Sequence, residues 1–326
     1  MRFMGSGCGL HCVKIGNVLL KNNLALAPMA GITNSAFRRL AAEGGAGLVV
    51  TEMVSAESIK YGNRKSFKML ELSPGETAAV QIFGAVPESM ALAARKAEEY
   101  GASIIDINAG CPVKKVTKNG AGAALMGNPA IFGKIIEAAA KAVKIPVTVK
   151  FRVGLRPGEI CGPELARIAE ASGAAAITLH GRYASAMHAG PVDMDAVAAS
   201  AAAVKIPVYG NGGINDACSA KAFFDAGCKG AAIGRASVYN PMIFREIISA
   251  FSGGEEHVSA AERLELFIRY LRLNSELYGE EKGLAAARKL VGYWLKGVPG
   301  AAAARMRFMA MTKLSDAEEL VRRLSL

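Results

Sequence analysis

Eight short apolar segments, each followed by an alanine-rich stretch, alternate regularly through about the first 250 residues. The segments are continuous apolar runs, which is typical of parallel strands that are buried on both faces. They lie at residues 24–29, 47–52, 78–83, 103–108, 146–151, 175–180, 206–210 and 230–234. Eight strands with a helix after each predict an α/β protein with a (β/α)8 TIM barrel. The alternative is an open doubly wound sheet, but eight regular repeats without a switch point favour the barrel.

The residues between the strands carry the signals of helix starts. Pro87, Pro129 and Pro163 each fit the first turn of a helix, where a missing N–H is tolerated. Asn34, Asn128 and Asn215 lie where N-cap residues are expected. These positions predict where five of the helices begin, since Asn128 and Pro129 mark the same one.

The pattern changes after a Ser-Gly-Gly-Glu-Glu segment at 252–256 and becomes wholly helical. Ser259 with Glu262, and Ser315 with Glu318, have the spacing of a capping box. The sequence therefore predicts two domains, a catalytic barrel over residues 1–252 and a small helical domain over 258–326.

The charge balance favours an anionic partner. Among 326 residues, 39 are Lys or Arg and 28 are Asp or Glu, for a formal net charge of +11. Residues 282–313 contain seven Lys or Arg and no Asp or Glu, a one-signed face that predicts contact with nucleic-acid phosphates. The alternative is a basic enzyme without a polyanionic partner. Trp294 lies within this face and is interpreted as a core residue rather than a stacking platform.

The cysteines and the amino terminus indicate a cytoplasmic protein. Six cysteines are scattered through a long chain, which does not resemble a small disulfide-stapled domain. Cys8, His11 and Cys12 cluster, but their spacing matches no zinc pattern. Residues 1–10 lack the apolar core of a signal peptide, and no apolar run is long enough to span a membrane. We therefore expect no metal and no membrane partner.

Polar residues close seven of the eight apolar runs, at the strand ends where barrel active sites lie. Cys111 follows the fourth strand across a turn at Gly110 and is a candidate reagent. Gln81 can donate and accept, which suits a ring with carbonyl and N–H edges. Lys150 could form a Schiff base, neutralise an anionic cofactor or pair with a carboxylate. His180 fits a phosphate donor, a substrate ligand or a barrel histidine about equally well.

The ends of the seventh and eighth strands predict a phosphate site. Gly212 and Gly213 follow one strand and Gly234 follows the other, so backbone N–H groups can approach an anion closely. Arg235 adds a guanidinium that can donate two parallel hydrogen bonds. Turn glycines without a ligand are the alternative.

Together these segments resemble the tRNA-dihydrouridine synthases, most of all their bacterial B-type branch. The matching segments are APMAGIT (27–33), TEM (51–53), QI (81–82), DIN (106–108), GCPVKKV (110–116), GAG (120–122), KFRVG (150–154), HGR (180–182), NGG (211–213), GR (234–235), ARK (287–289) and YWL (293–295). They cover nearly the whole chain in the right order. The resemblance implies a monomeric enzyme that contains FMN and reduces uridine in tRNA to dihydrouridine.

The resemblance also implies roles for individual residues. Those that would bind FMN are Pro28, Met29, Ala30, Gln81, Lys150, His180, Asn211, Gly212, Gly213, Gly234 and Arg235. Asn108 and Arg152 would lie near the target uracil, and Arg288, Lys289 and Arg305 would contact the tRNA.

The implied mechanism needs a hydride and a proton. Flavin N5 would deliver hydride to C6 of uracil, Cys111 would protonate C5, and NADPH would supply the electrons. Three alternatives remain open: a flavin reductase of free pyrimidines of the dihydroorotate type, a Schiff-base aldolase that uses Lys150, and a catalytically silent RNA-binding protein.

Overall fold

The computed structural model describes residues 9–73 and 75–324. Its strands, in chain order, are β1 (Val13–Ile15), β2 (Val18–Leu20), β3 (Leu24–Leu26), β4 (Leu48–Val50), β5 (Val54–Ser55), β6 (Ala78–Phe83), β7 (Ile104–Asn108), β8 (Val147–Arg152), β9 (Ala176–His180), β10 (Val208–Asn211) and β11 (Gly230–Ile233). Each of the eight apolar runs of the sequence therefore contains a strand.

The helices follow the strands as the repeat predicts. They are α1 (Ser35–Glu43), α2 (Ala56–Lys60), α3 (Arg64–Lys68), α4 (Pro87–Glu99), α5 (Lys114–Thr117), α6 (Pro129–Ala142), α7 (Gly162–Ala171), α8 (Met194–Ala202), α9 (Ala217–Asp225), α10 (Arg235–Tyr239), α11 (Ile243–Phe251), α12 (Ala260–Tyr278), α13 (Glu280–Trp294), α14 (Ala301–Phe308) and α15 (Leu314–Arg322). Two 3-10 helices cover Gly122–Gly127 and Ala184–Ala186.

Eight parallel strands close into a barrel, which confirms the predicted fold. The hydrogen-bonded order is β4, β3, β11, β10, β9, β8, β7 and β6, and β4 also pairs with β6. The short strand β5 extends the edge of β6 beyond the closure. Because every barrel strand is parallel, all eight carboxyl ends meet at one mouth.

A hairpin that the sequence analysis did not predict lies just before the first barrel strand. Strands β1 and β2 pair antiparallel, with a turn at Gly16 that has a φ of 55°. Ile15 and Leu20 from this hairpin pack in one apolar cluster with barrel-interior residues such as Ala25 and Tyr209. Each strand of this hairpin has only three residues, which is too few to show a clear alternation of apolar and polar residues in the sequence.

The helix starts were predicted with two exceptions. Proline stands in the first turn of α4, α6 and α7, and the side chains of Asn34 and Asn128 accept from backbone N–H groups as N-caps. The prediction for Asn215 was wrong by one residue, because Asp216 caps α9 and forms a capping box with Ser219. The box at Ser315 was also wrong, because α15 already begins at Leu314, whose N–H donates to Glu280 Oε2 at 3.4 Å.

Helices α12 to α15 pack together around a core of large aromatic rings. Trp294 is fully buried, stacks on Tyr270 at 5.7 Å between ring centroids and lies 5.3 Å from Phe267. This confirms its interpretation as a core residue. The helices also contact the barrel, where Asn34 Nδ2 donates to Asn274 Oδ1 at 2.9 Å. Within residues 9–73 and 75–324, no helix has the length and apolar character needed to cross a bilayer.

Candidate active site at the barrel mouth

The strand register brings the polar strand ends to one level. Asn108 pairs with Lys150 across β7 and β8, and Arg152 pairs with His180 across β8 and β9. His180 pairs in turn with Asn211 on β10. Closure of the barrel therefore places the sequence-predicted residues of several strands around a single opening.

Two amides form a bonded pair at this level. Gln81 Oε1 accepts from Asn108 Nδ2 at 2.9 Å, and Gln81 Nε2 donates to Asp106 Oδ2 at 2.6 Å. Both amides are buried. Gln81 still has one N–H and one lone pair that no other described residue uses, so it can address a ring with carbonyl and N–H edges.

Cys111 is held by backbone contacts on both sides of its turn. Asn108 Oδ1 accepts from the N–H groups of Gly110 and Cys111, at 3.2 and 3.0 Å. The Cys111 carbonyl accepts from Ala123 N–H at 2.9 Å, at the start of the 3-10 helix. The half-buried thiol is therefore presented on a fixed turn at the mouth.

Lys150 is a half-buried cation near the thiol. The pKa of Lys150 is lowered to about 7, mainly by burial and also by the positive charge of Arg152, while Asp106 and Cys111 oppose the shift. Its ammonium makes no ion pair with a described carboxylate. Glu52 instead accepts from Gly31 N–H, and Asp106 accepts from Gln81 and Thr148. The alternative that Lys150 forms an ion pair with a carboxylate is therefore wrong for the described residues.

Arg152 is bound to the backbone of two loops. The guanidinium is 3% exposed; its Nε donates to Gly110 O at 2.9 Å, and its Nη1 donates to Tyr183 O at 3.1 Å and Met187 O at 2.7 Å. It therefore fixes the Cys111 turn against the loop after β9. Only its Nη2 is left to approach a substrate, and a contact with the target base stays a prediction.

His180 is held in one neutral form. Burial lowers its pKa well below the usual range, and the cations Lys150, Arg152 and Arg182 lower it further. The Nδ1 atom accepts from Arg182 N–H at 3.1 Å, so the proton of the neutral ring is on Nε2. The ring can therefore donate one hydrogen bond toward the mouth without carrying a charge.

The ends of β10 and β11 form a corner rich in hydrogen-bond donors. Gly212 and Gly213 have φ of 122° and 72°, where a side chain would strain the backbone. A Cβ atom at Gly212 would lie 3.3 Å from Arg182 Nη1, a buried nitrogen that has no partner among the described residues. Arg235 is exposed beside this corner. The arrangement suits a phosphate group.

Gly234 and Asn211 are the other predicted residues of this corner. Gly234 has a φ of −103° and a ψ of −109°, and a Cβ atom there would lie 3.9 Å from Met29 Sδ. Asn211 Nδ2 donates to Ala232 O at 2.7 Å, which leaves only its Oδ1 free of that bond. The segment Pro28 to Ala30 follows β3 and borders the same opening, with Met29 half-buried.

Comparisons with known proteins agree with this geometry. The family described as "Dihydrouridine synthase (Dus)" matches residues 25–325. The chain belongs to the dihydrouridine synthase family. It is 40% identical to the tRNA-dihydrouridine synthase B of Pseudomonas putida, over 93% of this chain and 91% of that protein. The corresponding protein of Shewanella oneidensis is 42% identical over 87% and 89%. These matches confirm the resemblance to the B-type branch.

Solved structures support the barrel of this dihydrouridine synthase family member. Morphinone reductase superposes with a TM-score of 0.57 at 14% identity, over 78% of this chain and 92% of that one. The old yellow enzyme of Trypanosoma cruzi superposes with a TM-score of 0.57 at 12% identity, over 78% and 95%. At such low identity, these similarities establish the fold alone.

The basic helical region of this dihydrouridine synthase does not present all its cations to solvent. Arg288 Nη2 donates to Met311 O at 3.3 Å. Lys289 reaches the barrel mouth, where a Cβ atom at Gly31 would lie 2.7 Å from its Nζ. Arg305 is exposed. The three residues predicted to contact tRNA thus point in different directions, and Lys289 is the one nearest the site.

The sequence analysis did not assign roles to three polar groups near the site. Asp106 and Thr148 lie beneath the amide pair. In the sequence they stand inside apolar strands, where no neighbouring residue marks them as part of a site. His188 lies in the loop after β9, with its ring centroid 6.1 Å from that of His180. Met187, just before it, has a φ of 53°, unusual for a residue with a side chain. No local pattern marks a loop residue of this kind.

Cys8 of the Cys8, His11 and Cys12 cluster lies outside the described residues.

Proposed function

We propose that this protein reduces the C5=C6 bond of uridines in tRNA to give dihydrouridine, with FMN as its flavin and NADPH as electron donor. The observation that carries the proposal is the fixed thiol of Cys111 beside a buried amide pair and an unpaired lysine, at one barrel mouth. Family membership and the names of the relatives support the substrate. The enzyme would work in the cytoplasm.

The residues present fit FMN in three respects. An orphaned guanidinium nitrogen of Arg182 and the open backbone of Gly212 and Gly213 suit its phosphate. The cofactor set we propose is Pro28, Met29, Ala30, Gln81, Lys150, His180, Asn211, Gly212, Gly213, Gly234 and Arg235. Lys150 would balance negative charge on the ring, and Gln81 would meet its polar edge. When bound and reduced, FMN supplies a hydride.

The protein's own contribution to the reaction is positioning and a proton. Reduction at C6 of uracil builds negative charge toward C5 and O4, so a proton must reach C5. We propose Cys111 as the general acid, because Asn108 and Ala123 fix its backbone at the mouth. Asn108 and the free Nη2 of Arg152 would orient the base. Helices in residues 258–326 would form the tRNA-binding domain, and the target base must leave its stack to enter.

The proposal is tested with the purified full-length protein. We expect a yellow protein that releases FMN on denaturation, and mass spectrometry of the released flavin distinguishes FMN from FAD. Reduced with NADPH, it should convert uridine to dihydrouridine in tRNA that lacks the modification. Parallel assays with free uracil and orotate address the reductase alternative. A colourless protein that leaves tRNA unchanged would refute the proposal.

A further inference from the structure

A directional chain of hydrogen bonds runs from the Cys111 backbone to Asp106. Cys111 N–H donates to Asn108 Oδ1 at 3.0 Å, Asn108 Nδ2 donates to Gln81 Oε1 at 2.9 Å, and Gln81 Nε2 donates to Asp106 Oδ2 at 2.6 Å. We infer that Asp106 is a positioning residue, which fixes both amides and, through them, the turn that carries Cys111. The inference rests on the proposed function, since it concerns the same site.

The two ends of this chain determine the orientation of both amides. A backbone N–H can only donate, so the atom of Asn108 that faces Cys111 must be oxygen. An ionised carboxylate can only accept, so the atom of Gln81 that faces Asp106 must be nitrogen. Asn108 and Gln81 then meet with nitrogen against oxygen. Rotating Gln81 by half a turn would break two bonds and rotating Asn108 would break three, and either rotation would set like groups against each other.

Asp106 is suited to anchor such a chain because it is itself fixed. It is 3% exposed, and its second oxygen accepts from Thr148 Oγ1 at 2.7 Å. It lies two residues before Asn108 on β7, so both side chains point into the barrel and Asp106 lies deeper. Burial raises the pKa of Asp106, whereas the bonds from Thr148 and Gln81 and the charge of Lys150 oppose the shift.

The chain has a consequence for the free edge of Gln81. An amide whose nitrogen and oxygen are each assigned to one protein partner presents its remaining N–H and lone pair in fixed directions. A neighbouring ring would then meet the same donor and acceptor pattern in every molecule. Without the carboxylate, only the bond from Asn108 would orient Gln81, so this amide could turn over and Asn108 Nδ2 would then lose its acceptor.

Two substitutions separate orientation from charge. Asp106→Asn can keep the chain, because its oxygen can face Gln81 while its nitrogen donates to Thr148. The Thr148 hydroxyl then keeps the Ile105 carbonyl, 3.4 Å away, as its own acceptor. Asp106→Leu keeps the branched outline with bulkier methyl groups but offers no acceptor, so only the bond from Asn108 still orients the Gln81 amide. Leucine leaves the buried Gln81 Nε2 without that acceptor, which costs stability, so unfolding is measured beside the rate.

The experiment uses the flavin-loaded enzyme, pre-reduced and mixed with tRNA in a single turnover. We expect Asp106→Leu to lower the rate of uridine reduction roughly 10²-fold, the scale of a displacement of about 1 Å at a reacting group. Its bound-flavin absorption spectrum should shift, because the Gln81 edge is no longer fixed. Asp106→Asn should stay close to the wild type in rate and spectrum. Both variants should bind tRNA normally, because Asp106 is buried.

The outcomes are separable. If Asp106→Leu matches the wild type, or Asp106→Asn falls as far as Asp106→Leu, Asp106 does not act through orientation and the inference is overturned. Thermal unfolding of both variants shows whether a loss of rate reflects a loss of stability. Should Asp106→Leu not fold, Asp106→Ala removes the acceptor without adding bulk. A wild type that fails to reduce tRNA in the same assay would count against the proposed function instead.

Discussion

The backbone on both sides of Cys111 is hydrogen-bonded. The position of the thiol at the mouth therefore does not depend on how its own side chain packs. Gly110 and Cys111 donate to Asn108, and the Cys111 carbonyl accepts from Ala123. A small substitution at Cys111 should therefore leave the turn intact. This makes the role of the thiol testable at the level of one atom.

We expect Cys111→Ala to retain flavin and tRNA binding but to lose roughly 10²–10⁴-fold in uridine reduction, the usual span for loss of a general acid. The rate is measured in a single turnover of the pre-reduced enzyme. The matched control is Cys161→Ala, since Cys161 is also half-buried but lies at the start of α7. Unchanged turnover in Cys111→Ala would remove the thiol from the mechanism.

The residue scale also shows what a sequence can indicate about a site. Gln81, Asn108, Lys150 and His180 were expected at the barrel mouth because each lies at or near the carboxyl end of an apolar strand, and the structure places them there. Arg152 shows the limit. Its type and place suggested a substrate contact, but loop carbonyls that are far away in the chain take up most of its donors. Such partners are set by loop conformation, which no strand period encodes.

At the scale of elements, strands with apolar runs were predictable and short pieces were not. The barrel follows from eight repeats, whereas the hairpin β1–β2 and the two-residue strand β5 are too short to leave a period. The cap of α15 was missed because Glu280 of another helix supplies it. Local sequence cannot report a cap that comes from a tertiary contact.

The 3-10 helix after Cys111 contacts the Cys111 turn at Gly122. Gly122 has a φ of 60°, and a Cβ atom there would lie 2.6 Å from the Cys111 carbonyl oxygen. We expect Gly122→Ala to displace the Cys111 turn and lower uridine reduction. It should also cost about 1–2 kcal/mol of stability for left-handed backbone, measured by urea unfolding.

Gly101→Ala provides the control for Gly122→Ala. Gly101 has a φ of 89° but nothing within 4 Å of its would-be Cβ atom, and it lies between α4 and β7, away from the mouth. It should bear the same left-handed backbone cost without the clash, and it should show no loss of catalytic rate. Equal rates in the two variants would show that the contact with Cys111 does not matter for catalysis.

At the scale of the whole molecule, the barrel mouth lies between two groups of cations. On one side, Lys289 reaches Gly31 and Arg305 is exposed on α14. On the other side, three short helices follow β5 and β7 and carry seven exposed cations, which we call the strand-end rim. The rim consists of Lys60, Arg64, Lys65, Lys68, Lys114, Lys115 and Lys118. None of them pairs with a described carboxylate, and Tyr61 among them is 78% exposed.

The rim changes the expected RNA path. The sequence directed attention to residues 282–313 because they form an uninterrupted run of one sign. The rim is not visible as one run, since residues 60–68 and 114–118 are far apart along the chain and only the barrel brings them to nearby strand ends. An RNA that places one base in the mouth would contact cations on both sides of it.

We expect the triple variant Arg64→Glu, Lys65→Glu and Lys115→Glu to bind tRNA more weakly and with a smaller salt dependence. Each lost phosphate contact should reduce the slope of log K against log salt by about 0.9. All three positions lie in the first turn of a helix, where acidic residues are favoured, so the fold should tolerate them. Binding is measured by titration at several salt concentrations, with flavin content as the check on folding.

The barrel provides a matched control at its opposite end. Lys144, Lys205 and Lys229 are exposed and stand just before β8, β10 and β11, on the face away from the mouth. Replacing all three by glutamate changes the net charge by the same amount as the rim variant. This control therefore measures the effect of net charge on tRNA binding when the cations at the mouth are unchanged. If both triple variants lose the same affinity and slope, the protein attracts tRNA through its overall charge. A loss confined to the rim variant means that phosphates lie along the rim, where Cys111 can reach a base between them and the helices of the carboxyl-terminal region.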